Sequence, residues 1–490
     1  MAISFNDIPE ALRQPFVYTE FDPSQADLGL TENPFTVLLV GQMLDAGTAD
    51  PLQIYRPTSA DQAIQWFGQG SQLAQMVEFY LTANPVTKML AIPVADLDEG
   101  VEAQGAISLD GSVSSPAPLY LYIGGQVVRV GASAGQSAAS VASAAIAAIN
   151  ADASLSVTAS GLGTAIELTA KHKGECGNDI DLRVNYYNET MPGGLSVSFT
   201  PMAGGAGNPD PIATIAALPP DQYHVIAWPW TDSASLVAIK DEMDSRWGAL
   251  RQNDGQAVTV KRGTFGEVLA WNEQNNNRGL SVFASEGSPT SPWSDAAACA
   301  GVIAYYANID PARGFMTLPV PGVLAPRLGD RWPKFPEKNQ SLFEGVSSRV
   351  VDASGRVAMS NVITTHRKSP LGSATQAYLS INTCFTLSFI RFDWNSFIQN
   401  KYARYKLASD ADARSFGAGQ KIMTPSLARA EAITRFGMWL ERGLVEGSAQ
   451  FKNDIFAEIN GTNPNRLDIF MRPNIMNQFN ICGTLIAHIV

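Results

Sequence analysis

Ionisable side chains are scarce in this chain of 490 residues: Asp, Glu, Lys and Arg make up 16% of it, against about 25% in an ordinary soluble domain. So low a charge density leaves surface to be covered by something other than water, such as neighbouring copies of the same chain. Basic residues are the minority, 34 against 46 acidic. The net charge of −12 disfavours a nucleic-acid footprint or an anionic membrane surface, since both need clustered Lys and Arg. Cysteine is rarer still. Cys176, Cys299, Cys384 and Cys482 stand far apart, the nearest two separated by 384 − 299 = 85 positions. That excludes a disulfide framework or a paired-cysteine zinc site and leaves buried free thiols made in a cytoplasm. No apolar run reaches the roughly 18 residues of a membrane span. The opening Met1–Asp7 has no basic region followed by an apolar stretch, so neither membrane insertion nor Sec export is expected.

What is present is apolar residue, 45% of the chain. At about 100–200 residues per domain the length suggests about three cores, which excludes wholesale disorder.

Hydrophobic patterning divides the chain into six parts. Residues 1–25 form an arm whose alternating stretch Phe16, Val17, Tyr18, Thr19, Glu20, Phe21, between Pro15 and Pro23, reads as an isolated strand in need of a partner sheet. Residues 26–97 carry Phe35–Val40 as a buried-type strand, a helical pattern over Thr58–Ala83 broken at Gly68 and Gly70, and a strand at Met89–Val94. This βαβ pattern resumes in residues 208–372, with strands at Tyr223–Ala227, Ala257–Val260 and Leu280–Ala284, and helices over Ser233–Leu250 and Trp293–Asn308. Between them, residues 98–207 are rich in Ala, Ser and Gly and hold short strands around an Ala-rich helix, Ser137–Asn150: a β-rich inserted domain. The Pro- and Gly-rich Leu318–Arg349 reads as an extended loop. Residues 373–473 read as an α+β domain with strands near Tyr378–Asp393, a helix from the cap Thr424 and Pro425 to Gly443, and a second helix over Ser448–Ile459. Residues 474–490 end in an alternating strand whose one face carries Phe479, Ile481, Gly483, Leu485, Ala487 and Ile489. A free apolar edge strand is an aggregation hazard, so it too asks for a partner sheet.

Catalytic motifs are few. Gly131-Ala-Ser133-Ala-Gly135 matches the nucleophile-elbow pattern between a strand and a helix, and would make a hydrolase if one of His172, His224, His366 or His488 joined Ser133. The competing reading is a Gly/Ala/Ser-rich turn ahead of a helix capped by Ser137. His172 and Cys176, around Gly174, lack the second ligand pair of a zinc site. Gly204–Pro209 and Gly417–Lys421 lack the residues of a dinucleotide loop and of a P-loop, so no cofactor is expected. Basic residues gather late, from Arg391 to Arg442, interleaved with aromatic residues, but nearby acids dilute the field. A basic face docking an acidic protein surface fits better than a nucleic acid.

Motifs in order along nearly the whole chain carry a family resemblance. They include the opening Ile8–Phe21, Gly174-Glu-Cys-Gly-Asn-Asp-Ile-Asp181, Gly204–Asp210, Pro229-Trp-Thr-Asp232, Asp244-Ser-Arg-Trp-Gly248 with Arg251–Gln256, Phe416–Gln420, Gly443–Gly447, Asn463–Asp468 and Asn477–Phe479. In these the chain resembles the tail sheath proteins of Mu-like contractile-tailed phages, with Gln256 where the family pattern suggests His. The resemblance implies an α/β fold: a split, subtilisin-like sheath core without protease activity, an inserted β-rich domain on the outer surface, a C-terminal inner α+β domain, and N- and C-terminal strand arms. It implies a non-enzymatic structural subunit of the virion tail, assembled in the host cytoplasm as stacked hexameric rings. The partners it implies are other sheath subunits, the tail tube, the baseplate and the tail terminator, with no nucleic acid and no membrane insertion. The arms, Phe16–Phe21 and Phe479–Val490, would add strands to neighbouring subunits. Lys401, Arg404, Lys406, Arg429 and Arg435 are the expected tube-facing residues.

Overall fold

The computed structural model describes residues 33–417 and 419–489; the expected N-terminal strand Phe16–Phe21 lies outside the described residues. Two compact units emerge, one built from residues 34–388 and 476–489, the other from residues 389–475.

The larger unit is organised by a seven-stranded sheet. Its strands are β1 (Thr36–Gln42), β2 (Lys88–Val94), β3 (Val225–Ala227), β4 (Gln256–Lys261), β5 (Leu280–Ala284), β6 (Val346–Val351) and β7 (Val357–Asn361). Their order is β7-β6-β5-β4-β3-β1-β2, parallel throughout except for the β6–β7 pair. Every residue of β1 from Val37 to Gln42 is buried, as is every residue of β3 and β5. Burial on both faces is why these strands read as continuous rather than alternating apolar runs.

Helix α1 (Ala60–Phe67) starts where the Ser59 hydroxyl accepts from the Gln62 N–H, and α2 (Gln72–Ala83) where the Ser71 hydroxyl accepts from that of Ala74. The break between them falls at Gly68 and Gly70, both at positive φ. A Cβ on Gly70 would also sit 2.5 Å from the Leu155 carbonyl oxygen, so the turn needs glycine twice over.

The inserted domain leaves after β2 and returns before β3. It contains a four-stranded antiparallel sheet (Val157–Ser160, Ala165–Lys173, Glu102–Ser115, Gly193–Ala203), a three-stranded one (Gln126–Ala132, Ala117–Ile123, Leu182–Val184) and helix α3 (Ala138–Ala151). The longest strand, Glu102–Ser115, escaped the sequence reading although Ala103, Ile107, Leu109 and Val113 fall on its buried face. Glycines and serines at six of the remaining ten positions hide the period of two.

Helices α4 (Ser233–Trp247) and α5 (Pro292–Ile309) are the longest of the further helices that lie wholly in this unit, beside the shorter Pro211–Ala216 and Phe265–Asn272. Nearly the whole of α5 is buried, and a Cβ on Gly301 would lie 3.1 Å from that of Ala83, so glycine sets the close approach to α2. The stretch Leu318–Arg349 departs from the expected loop by including a short helix, Asn339–Phe343, and the start of β6. Strand β6 hides from hydrophobic patterning because three of its four buried residues are polar: beside Val346, Ser347 exchanges hydrogen bonds with the Ile363 backbone, Ser348 is buried, and Arg349 pairs with Asp295 at 2.5 Å.

Residues 378–393, read as strands, belong mostly to helix α6 (Ile381–Tyr402), and the division between the two units falls inside it, at 388/389, rather than near 373. Aromatic and β-branched residues suggested a strand. The spacing decides otherwise: Ile381, Cys384, Phe385, Phe389, Asp393 and Phe397 are all buried and recur every three or four positions. In the smaller unit, α7 (Pro425–Glu441) begins at Thr424, whose hydroxyl accepts from the Leu427 N–H, with Pro425 in the first turn. The helix expected over Ser448–Ile459 stops at Asp454, and Phe456–Ile459 is a strand paired with Leu467–Phe470.

Leu38 is fully buried at the middle of β1. Leu38→Ala should destabilise the larger unit by about 2–5 kcal/mol in urea unfolding, and a loss under about 1 kcal/mol would contradict the central place of β1.

Candidate functional site

Open parallel sheets place ligands in the crevice beyond the carboxyl ends of their strands. Here that end is filled by the inserted domain. Gly124 and Gly125 turn so tightly against the segment after β5 that a Cβ on Gly125 would sit 3.2 Å from Thr290 Cα. Arg183 donates to Asp181 (2.5 Å) and to the Gly287 carbonyl (2.7 Å), and Arg262, just past β4, pairs with Asp181 at 3.3 Å. Cys176 is buried with its sulfur 3.7 Å from the Pro229 carbonyl oxygen, and burial pushes its thiol up, out of the reactive range.

A polar node seals the same seam near β1. His172, buried, contacts Asp96 Oδ1 through Nδ1 at 2.9 Å and accepts the Gln72 N–H at Nε2 at 3.0 Å. Asp96 also accepts from Gln42 Nε2 (2.7 Å) and from the Lys173 N–H (2.9 Å). Burial alone would raise the Asp96 carboxyl, but these bonds, His172 first, hold it below its ordinary value.

The elbow-like motif is not built as a catalytic site. Ser133 is exposed in a turn, its N–H donating to Gln136 Oε1 at 2.7 Å, and Ser137 caps α3 by accepting from Ser140. His172 is committed at both nitrogens. His224 accepts from the Thr36 N–H and stacks on Phe35 at 4.1 Å, and burial pushes its pKa down to about 3. His366 packs on Tyr378, and His488 is exposed in the terminal segment. Among the described residues no group of three or more His, Cys, Asp or Glu could hold a metal ion, and no helix is long and apolar enough to cross a membrane. Of the four cysteines expected to be buried, Cys482 is exposed.

The smaller unit separates the expected tube-facing residues. Arg435 does not belong with them. It is 2% exposed, its Nε donates to Asp393 at 2.6 Å, and its guanidinium lies 4.9 Å from the centre of the Phe397 ring. Trp439 donates to the same carboxylate at 2.7 Å, so this pair joins α6 to α7 inside the core. Sequence counting could not see this, because a buried and a surface arginine look alike until a partner acid is placed. Lys401 is half-spent, paired with Glu431 at 3.1 Å. Arg404, Lys406 and Arg429 are exposed, Lys406 donating to Gln420 at 2.9 Å.

Two features went unread in the sequence. A cavity of about 510 Å³ in this unit is lined by Trp394, Ile398, Tyr402, Tyr405, Leu467 and Ile469, with Lys406 among its walls. Beside it runs the hairpin of Phe456–Ile459 and Leu467–Phe470, a two-stranded sheet whose outer edges have no strand partner among the described residues. The paired Phe456 and Phe470 are more than half exposed. The alternation Phe-Ala-Glu-Ile and Leu-Asp-Ile-Phe around Gly461 was the available signal.

The terminal segment is the most unusual surface. Asn474 and Ile475 pair with Glu446 and Val445, and Gln478 Nε2 donates to the Ala312 carbonyl at 3.2 Å, so the fully exposed stretch starts at Phe479 rather than 474. Residues 476–489 form neither helix nor strand, and Phe479, Ile481, Leu485, Ile486 and Ile489 are each at least 82% exposed. Gly483 and Ala487 are exposed as well. Soluble chains scatter exposed apolar side chains singly; here five stand within eleven positions.

Residues 204–365 match the family model described as the phage tail sheath protein central domain. The chain is 37% identical over 491 aligned positions, covering 100% of both, to the tail sheath protein of the Mu-like prophage FluMu of Haemophilus influenzae. Among solved structures, a sheath tail protein of Listeria innocua aligns with a TM-score of 0.45 at 12% identity, over 92% of this chain and 97% of that one. The sheath of an extracellular contractile injection system in its contracted state aligns with a TM-score of 0.48 at 9% identity, over 98% and 99%.

The burial of Arg435 carries its own test. Arg435→Ala strands the Asp393 carboxylate in the core and should cost about 3–5 kcal/mol in denaturant unfolding. Arg404→Ala, at an exposed position, should stay within about 0.5 kcal/mol of the parent.

Proposed function

The chain belongs to the phage tail sheath family and is a structural subunit of a contractile tail, and from that premise we propose that it polymerises by exchanging terminal strands. The observation that carries this reading is the terminal segment 479–489, apolar, exposed and in no strand of its own chain. Its alternation suits a strand laid along an open sheet edge, where main-chain hydrogen bonds supply affinity and every second side chain supplies specificity. The hairpin of Phe456–Ile459 and Leu467–Phe470 in a neighbouring subunit is the acceptor we assign, since it offers two open edges and exposed phenylalanines. Residues 16–21 take the second edge in the same scheme.

Strand exchange fits a lattice that must change shape without coming apart. Each added bond contributes only about 0.5–1.5 kcal/mol net, but several per arm keep neighbours tied while the bodies between them rotate. Stacked hexameric rings around a tail tube, bounded by a baseplate and a terminator, are the assembly proposed. Small energy differences per subunit between extended and contracted packing then sum along the tail, so contraction draws on stored conformational energy. The core is read as subtilisin-like in outline with no role in hydrolysis. Lys401, Arg404, Lys406 and Arg429 remain the proposed tube-facing cations, and assembly is assigned to the host cytoplasm.

Two measurements test the reading. Removal of residues 479–490 should leave folded, soluble protein that forms no striated tubes in negative-stain electron microscopy, with or without the tube protein; tubes of normal length would overturn strand exchange. Reversal of Arg404, Lys406 and Arg429 to Glu should weaken assembly on the tube, and the deficit against the parent should shrink as salt is raised. Identical assembly at low salt would remove this face from the tube contact.

A further inference from the structure

The cavity in the smaller unit is a core left open. Tyr402, Met423 and Ala457 are buried beside it, while Trp394, Ile398, Tyr405, Leu467 and Ile469 pack against that cluster half-buried. Protein interiors tolerate few voids larger than one water, and about 510 Å³ is many times the roughly 10–15 Å³ that holds one. Walls of this kind gain most by taking up apolar side chains. The one charged side chain among the described wall residues is Lys406, whose ammonium donates to Gln420 at 2.9 Å. An occupant with no charge of its own therefore suits the site.

The hairpin beside the cavity shows which edge leads into it. Pairing sets Ala457 opposite Ile469 and Ile459 opposite Leu467, so these four share one face, and Phe456, Glu458, Asp468 and Phe470 share the other. Leu467 and Ile469 are walls of the cavity, whereas the strand Phe456–Ile459 lies against α7. A strand added to the outer edge of Leu467–Phe470 would place every second side chain on the Leu467 and Ile469 face, over the cavity. Its alternate side chains would fall on the face of Asp468 and Phe470.

The two terminal stretches are not equivalent candidates for that edge. From Phe479 to Ile489 every odd position is apolar or glycine, the even ones include Asn480, Thr484 and His488, and residues 476–490 contain no Asp, Glu, Lys or Arg. In Phe16–Phe21 neither face is wholly apolar, since Glu20 stands with Phe16 and Tyr18, and Thr19 with Val17 and Phe21. The terminal segment does not fill the cavity of its own chain, because Phe479, Ile481, Leu485 and Ile489 are each at least 82% exposed. We propose that the cavity is an anchor site for the terminal segment of a second copy, which pairs with the outer edge of Leu467–Phe470 and seats alternate apolar side chains, Ile481 among them, against Trp394, Ile398, Tyr402 and Tyr405. This rests on the strand-exchange reading and adds the edge, the face and the pocket that it leaves open. The edge of Phe456–Ile459 is then the one left for residues 16–21.

The test is photo-crosslinking of the full chain in assembled tubes, with a benzophenone side chain replacing Ile481 or, on the opposite face, Asn480. The probe-bearing chain carries heavy nitrogen and is mixed as a minor fraction into unlabelled parent chain, so that links between copies are told from links within one by mass. Both probe positions are exposed, so neither replacement disturbs a core. Position 481 should link mainly to Trp394, Ile398, Tyr402, Tyr405 or Ile469 of another copy, and position 480 to Asp468 or Phe470. Links between copies that run from position 481 to Phe456–Ile459, or to the Asp468 and Phe470 face, would overturn the anchor site and leave strand exchange standing. Links confined to one chain, links only to surfaces outside the smaller unit, or tubes that give no link between copies from either position would overturn both.

Discussion

Strand β1 is the constraint on which the rest of the larger unit depends. It pairs on both sides at once, Val37 opposite Met89 of β2 and opposite Val225 of β3. Those partners lie 225 − 89 = 136 positions apart in sequence, and their adjacency closes the excursion that forms the inserted domain. The antiparallel bridge of Val101 to Ala206 ties the two crossings together at the root, so the inserted sheets leave and return at one place. A domain inserted this way is tolerated because its ends are already neighbours.

That placement has a chemical consequence. The carboxyl ends of parallel strands are where an α/β sheet usually builds a ligand crevice, and here the inserted domain fills it with Arg183, Asp181, Cys176 and His172. The polar groups there are hydrogen-bonded to protein partners. Five large apolar side chains stand exposed near the end of a chain with few charges, and that exposure is what the proposed strand exchange would cover.

The smaller unit works by a similar economy of charge. Asp393 and Arg435, both buried, are satisfied by each other and by Trp439. Removing either partner is costly, although the pair itself need not add net stability. Of the five expected tube-facing cations, Arg404, Lys406 and Arg429 are the exposed ones.

Much of this could be read before any coordinate was known. The continuous apolar runs of β1, β2 and β5, the Thr424-Pro425 start of α7, the Ala-rich α3, and the apolar alternation of the last twelve residues are all local signals, set by burial and capping within a few positions. Family membership was legible as well, because it rests on ordered motifs along the chain. What local patterns missed were elements whose character depends on distant partners. Strand β6 buries Ser347 and Arg349 because Ile363 and Asp295 receive them; α6 hides a helical period under strand-forming residues; Arg435 is internal because Asp393 waits one helix away. Sequence alone determined which segments are apolar and where helices begin, since those follow from each residue and its near neighbours. Tertiary structure alone decided which charges are surface and which are core, because the cost of burying a charge depends on a partner that only the fold supplies.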